Sequence, residues 1–156
     1  MDYLVNLSTL PQDTKSADAM AKSGVTVRRA IPPELKLIVR WIDEQFGEAW
    51  ASEATVAMTR QPPTCFIATR EGKLVGFSCR EASARDFFGP TGVDESLRGL
   101  GIGRALLFTS LNDLKALGYA YAIIGDVGPS AFYEKAVGAI PIPDSAPGIY
   151  AGMLKS

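Results

Sequence analysis

Histidine is absent from this 156-residue chain. That excludes the commonest general base, the Ser-His-Asp and Cys-His nucleophile systems, and most zinc sites at once. Chemistry here must run on carboxylates, Tyr, Ser, Cys, Lys, backbone amides or water, and no metal is expected. Cysteine is scarce: Cys65 and Cys79 flank a predicted hairpin and have no metal-ligand spacing. They read as reduced, half-buried thiols, with a redox or catalytic role as the alternative. No stretch approaches the ~20 apolar residues that cross a bilayer. Met1 to Leu10, with Asp2 and Asn6, has neither the basic start nor the apolar run of a secretory leader, so the expected location is the cytoplasm, away from membranes. A charge surplus is missing too. Sixteen basic residues against 17 acidic ones leave a net charge of -1, whereas a nucleic-acid partner calls for a basic excess. A local basic site for one anionic ligand stays open.

What is present suits one globular domain with a substantial core, since apolar residues make up 47% and charged residues 21%. Tyr3 to Leu7 reads as a short strand or turn, and Thr14 to Ser23 as a short helix. Val25 to Ala30 alternates like a core strand. Pro32-Pro33 opens a helix on which Leu35, Ile38, Trp41 or Ile42, and Phe46 recur at helical spacing; Gly47 ends it. A second helix is predicted for about Ala49 to Met58. Thr64–Thr69 and Lys73–Cys79 form a hairpin around Arg70-Glu71-Gly72. A third strand, Asp86 to Val93, is distorted by Gly89-Pro90 and Gly92. A long helix, Gly101 to Leu117, carries Leu107, Leu111 and Leu114 on one face, with Leu106 and Leu117 beside them. Tyr119 to Ile124 suits the middle of a sheet. Gly128-Pro129-Ser130 starts a short helix through Ala136, and two last strands are predicted near Ile140–Ile142 and Ile149–Leu154. This order is neither a regular α/β wind nor a β-sandwich.

The informative stretch is Val93 to Leu107, where a strand enters a loop with Gly99, Gly101 and Gly103 and leaves it as an amphipathic helix. Unpartnered N–H groups at a helix start, the positive end of its dipole, and glycines that let backbone approach a bulky anion together make a pyrophosphate cradle. Arg98 and Arg104 supply cations. For Arg98 phosphate contact is favoured; for Arg104 phosphate contact and a solvated helix start are balanced. A nucleotide-triphosphatase loop needs Gly-Lys-Ser/Thr, and Arg104-Ala105 stands there. A dinucleotide fold needs a third Gly where Leu106 stands, in the first βα unit.

Arg98-x-x-Gly101-x-Gly103 does match the GNAT signature of Gln or Arg, two residues, Gly, one residue, then Gly or Ala. Phe132-Tyr133-Glu134-Lys135, on a short helix ending in Gly138, is similar to the Phe/Leu-Tyr-Glu-Lys-x-Gly-Phe segment late in GNAT proteins. The chain thus resembles the GNAT acetyltransferase superfamily from about Val25 to Leu154, with residues 1–23 as an N-terminal extension of the single domain 1–156. The resemblance implies an α+β fold: a mostly antiparallel twisted sheet of six or seven strands, splayed at the cofactor, flanked by about four helices. It implies acetyl-CoA as co-substrate, with its pantetheine arm on Thr91, Gly92 and Val93. The pyrophosphate would lie on the amides of Gly99, Leu100, Gly101, Ile102, Gly103 and Arg104.

The implied activity is transfer of the acetyl group to a small-molecule or protein amine by direct attack. A non-catalytic acyl-CoA-binding domain is the alternative. Tyr133 corresponds to the tyrosine that protonates or positions the departing sulfur, or else it only packs at the sheet edge as Phe132 does. Many relatives carry a Glu where Tyr121 stands and an Asn where Asp126 stands, so those family roles do not transfer. Asp126 could accept a proton or bind a cationic substrate, and capping of the following helix is favoured over both. Trp50 and Glu53 lie on the helix that often walls the acceptor site, an aromatic and a carboxylate suited to an amine. Family dimers often use C-terminal strands, so a homodimer is possible.

Overall fold

In the computed structural model, which describes residues 1–155, proline and glycine mark most element boundaries. Strand β1 (Tyr3–Asn6) is followed by helix α1 (Ser16–Ser23) and strand β2 (Val25–Arg29). Pro32–Glu34 form a single 3-10 turn before α2 (Leu35–Phe46), and Glu34 accepts the Ile31 N–H at 2.9 Å while pairing with Arg28. Gly47, at φ 101, adopts a backbone that other residues resist, and so breaks α2 from α3 (Glu48–Thr59). Then come β3 (Cys65–Arg70), β4 (Lys73–Arg80), β5 (Phe87–Val93), α4 (Ile102–Ala116), β6 (Tyr121–Ile124), α5 (Ser130–Val137) and β7 (Ile140–Pro141).

The seven strands form one sheet in the order β2-β3-β4-β5-β6-β1-β7, and all neighbours are antiparallel except β5 and β6. The expected mixed, mostly antiparallel sheet is therefore present, with five helices in place of about four. Residues 3–6, although outside the predicted core, pair on both edges, with β6 and with β7.

Alternation along the strands builds two layers. Cys65 and Ile67 of β3 and Phe77 and Cys79 of β4 meet Ile38, Ile42, Ala54 and Met58 of α2 and α3. Phe66, Ala68 and Val75 meet Ile102, Ala105 and Leu106 of α4 on the other face. Leu107, Leu111 and Leu114 continue that layer under β1 and β6, each burial contributing roughly 2 kcal/mol. Both cysteines are free and fully buried, deeper than half-buried. Leu117 departs from its expected place, ending α4 at 57% exposure. The predicted strand at Ile149–Leu154 does not form. Gly148–Tyr150 is a 3-10 turn instead, with Gly148 and Gly152 at positive φ.

Asp86 enters β5 with one carboxylate oxygen buried and without a hydrogen-bond partner among the described residues. Burial first, and then the charge of Glu81, push its carboxyl from 3.8 up to about 6. The folded state therefore holds more protons than the unfolded one between those values. Stability falls as pH rises through that window and stays lower above it. Asp86→Asn removes the charge, and Asn tolerates the positive φ found there. Urea unfolding should show a gain of about 1 kcal/mol at pH 7.5, after allowance for solvent screening, and none below about pH 4.

Candidate active site

Between β5 and α4 the chain makes a 3-10 turn, Glu95–Leu97, capped by Asp94, whose carboxylate accepts the Ser96 N–H at 2.9 Å. Leu97 N–H donates to Asp94 O at 2.9 Å, Arg98 N–H to Glu95 O at 3.5 Å, and Ala105 N–H to Gly101 O at 3.1 Å. The N–H groups between them, from Gly99 through Arg104, donate to no acceptor among the described residues. Gly99 at φ 86 and Gly101 at φ 89 hold the turn that gathers these amides at the start of α4. Ile102 anchors the loop from below, its side chain buried in the α4 layer. The positive end of a 15-residue helix faces the same place. Such an end binds an anion.

The two arginines diverge. Arg98 is exposed. Arg104 turns toward the N-terminal segment, its Nε 3.3 Å from Asp13 Oδ1 and its guanidinium 4.8 Å over the Phe108 ring. Asp13 in turn accepts the Lys15 and Ser16 N–H groups, and despite its partial burial these bonds hold its carboxyl below the usual range.

Beside the loop, the sheet parts. Strand β5 pairs with β4 from Phe88 to Val93, but with β6 only at Phe87 and Phe88. Pro90 has no N–H to continue the second ladder. Thr91, Gly92 and Val93 thus keep β4 on one side, and their other edge pairs with no strand among the described residues. The Thr91 hydroxyl donates to Phe77 O at 3.0 Å. Gly92 lies under the Phe46 ring, where an added Cβ would come within 2.5 Å of Cζ.

Tyr133 stands where the strands separate. Its ring is edge-on to Phe88, the last β5 residue paired with β6, with centroids 6.3 Å apart. Only 6% exposed, its phenol is pushed up to about 12 by burial, and so keeps its proton near neutrality. Phe132 is the more exposed neighbour, at 38%, and meets Tyr133 edge-on; the residue that packs at this edge is Tyr133. Asp126 does not cap α5. Pro129 is the cap residue, with no side-chain cap bond, and the Asp126 N–H itself donates to Asp2 Oδ1 at 3.0 Å.

On the far side of β5, Trp50 of α3 lies 5.1 Å from Phe46 and 6.2 Å from Phe77, ring to ring. Glu53 follows one turn later. Its Oε1 accepts the Tyr150 hydroxyl at 2.8 Å and the Ser83 hydroxyl. Burial, and then Glu53, push the Tyr150 phenol up to about 12, and the charge of Asp126 also reaches it. Phe46, Ser83 and Tyr150 were not among the predicted site residues. Phe46 showed itself only as part of a core stripe, and Tyr150 lies in the segment read as a strand. Grooves of about 360 Å³ between α2 and α3 and about 150 Å³ by Leu37 and Leu74 are lined by none of these residues.

Among the described residues no helix is long and apolar enough to cross a membrane. Nor is any group of three or more acidic or Cys residues arranged to hold a metal ion.

Residues 35–139, well over half of the chain, match the model of the acetyltransferase (GNAT) family. No curated protein matches the sequence. Among solved structures, a GCN5-related glucosamine N-acetyltransferase region of a fungal multi-domain beta-N-acetylglucosaminidase is 18% identical. Its TM-score is 0.73, and the match covers 89% of this chain and 19% of that one. A GCN5-related N-acetyltransferase from Sphaerobacter thermophilus is 18% identical, with a TM-score of 0.68, covering 89% of this chain and 47% of that one. The GNAT family N-acetyltransferase YhbS from Escherichia coli, in complex with CoA, is 24% identical. Its TM-score is 0.56, covering 72% of this chain and 67% of that one. The chain therefore spans about a fifth of the fungal protein and about half of the Sphaerobacter one. At these identities the likeness is one of fold.

Proposed function

Because the chain belongs to the GNAT family of acetyltransferases, we propose that it transfers an acetyl group from acetyl-CoA to a primary amine by direct attack within a ternary complex. One observation carries this reading: a run of amides without acceptors, Gly99 through Arg104, adjoins a strand edge that has left its neighbour. A pyrophosphate fits the first, and a pantetheine arm, itself a chain of amides, fits the second at Thr91, Gly92 and Val93. Arg98 is free to reach a phosphate oxygen. Arg104, held by Asp13, contributes its amide first.

Three requirements of the reaction fall on this chain's residues. The carbonyl oxygen gains charge during attack, and a backbone N–H near Val93 stabilises it. The departing sulfur needs a donor, and the Tyr133 phenol is protonated throughout the physiological range. The amine must reach the site neutral, and Asp126, which has no ion-pair partner among the described residues, takes the proton or holds the cation. The named activity of one structural neighbour, the GCN5-related glucosamine N-acetyltransferase region, puts amino sugars on the panel of amines to try.

Calorimetry with acetyl-CoA and thiol release with a broad amine panel test the reading. Saturable acetyl-CoA binding with thiol release on at least one amine is expected. No binding would overturn the assignment. Binding without turnover on any amine would favour the second reading, a regulatory acyl-CoA-binding domain, to which Tyr121, exposed in the place of the usual Glu, lends support.

A further inference from the structure

Glu53 is held in an unusual way for a surface carboxylate. Both of its hydroxyl partners, Ser83 in the turn between β4 and β5 and Tyr150 near the C-terminus, bond to Oε1. Oε2 accepts nothing among the described residues, and no Lys or Arg pairs with the group. A carboxylate fixed through one oxygen and open at the other is arranged for a donor from outside the chain.

Its surroundings say what kind of donor. One helical turn before Glu53 stands Trp50, whose ring meets Phe46, and the Phe46 ring covers Gly92 on the strand whose free edge would carry the thioester. Asp126 is near enough to Tyr150 for its charge to act on the phenol. Tyr150 is brought there by the segment before it, which Asp2 holds: Asp2 N–H donates to Ser145 Oγ at 2.8 Å, and Ile142 N–H donates to Asp2 O at 2.9 Å.

A carboxylate raises the pKa of an amine that it binds and keeps it charged. The attacking nitrogen has to be neutral. The two roles therefore fall on different nitrogens of one acceptor, separated by a stem that lies along Trp50 and Phe46. We infer that the acceptor is a dibasic amine whose non-reacting ammonium docks on Glu53, with Tyr150 and Ser83 as positioning residues for that carboxylate. This inference rests on the acetyl-transfer reading and names its substrate class.

Calorimetry on the CoA-loaded protein tests it, with 1,4-diaminobutane, 1,5-diaminopentane and spermidine against butylamine and pentylamine. The diamines should bind at least about tenfold more tightly than the matched monoamines, as a hydrogen bond to a charged group allows. Glu53→Gln should erase that preference. Tyr150→Phe and Ser83→Ala should each reduce it several-fold, while Ser83→Thr, which keeps the hydroxyl, should retain it. All variants should bind CoA as the wild type does, so a loss of preference cannot be blamed on misfolding. Equal binding of diamines and monoamines, absence of binding by any of them, or an unchanged preference in Glu53→Gln overturns the inference. Each leaves the acetyl-CoA assignment standing, because that assignment fails only if CoA itself does not bind.

Discussion

Tyr133→Phe is expected to slow thiol release from acetyl-CoA about a hundredfold or more, with affinity for CoA unchanged within about a factor of two. The substitution removes one oxygen. The ring contacts to Phe88 and Phe132 remain, so unfolding should move little. What is lost is a buried phenol that burial pushes to about 12, a proton donor at the place where β5 and β6 separate. Donation of that proton is needed when sulfur leaves and not when the cofactor binds, so the loss belongs in kcat. Steady-state thiol release with any accepted amine, paired with calorimetry on CoA, separates the two. Unchanged turnover would reduce Tyr133 to a packing aromatic and leave the departing sulfur without a donor from this chain.

Gly101→Val should weaken CoA binding at least about tenfold and lower the thermal midpoint by several degrees. At φ 89 a β-branched residue is strained by about 1–3 kcal/mol. The Cβ itself would sit 3.6 Å from Ala19 Cβ and 3.9 Å from Met20 Cε, ordinary contact. Its two methyl groups then have α1 to contend with, so the loop is driven to another backbone path. The amides from Gly99 through Arg104 would no longer converge. Calorimetry and a melting curve read the two effects. A valine variant that binds CoA like the wild type would show that these amides do not hold the cofactor, and the anion cradle would have to be given up.

The parts of the molecule that could be read from sequence are those whose cause is local. Leu106, Leu107, Leu111 and Leu114 write the buried face of α4 into its own spacing, and three glycines in five positions mark the turn before α4, where Gly99 and Gly101 take positive φ. Pro90 and Gly92 likewise foretold a strand that fails on one edge. Elsewhere the deciding partner is remote. Ile149 to Leu154 has the apolar content of a strand, but it pairs with no strand among the described residues, and Tyr150 turns instead to Glu53 on α3. No spacing rule links those two residues. Phe132 and Tyr133 are separable in principle: Tyr133 shares a helical face with the buried Val137, four residues on, and Phe132 does not. Residue type alone suits Asp126 to a cap, whereas a cap depends on position, and it lies three residues ahead of the capping Pro129.

The placing of β1 has a consequence for how the protein is made. Tyr3 to Asn6 hydrogen-bond with Tyr121 to Ile124 and with Ile140 and Pro141, far later in the chain. Contacts so far apart in the chain are closed slowly, because the intervening loop must lose its freedom before any pairing compensates it. Val5 and Leu7, fully covered in the finished fold, thus stay uncovered until β6 and β7 have been made. During that interval the nascent chain presents a sticky strand to whatever holdase or neighbouring polypeptide is at hand.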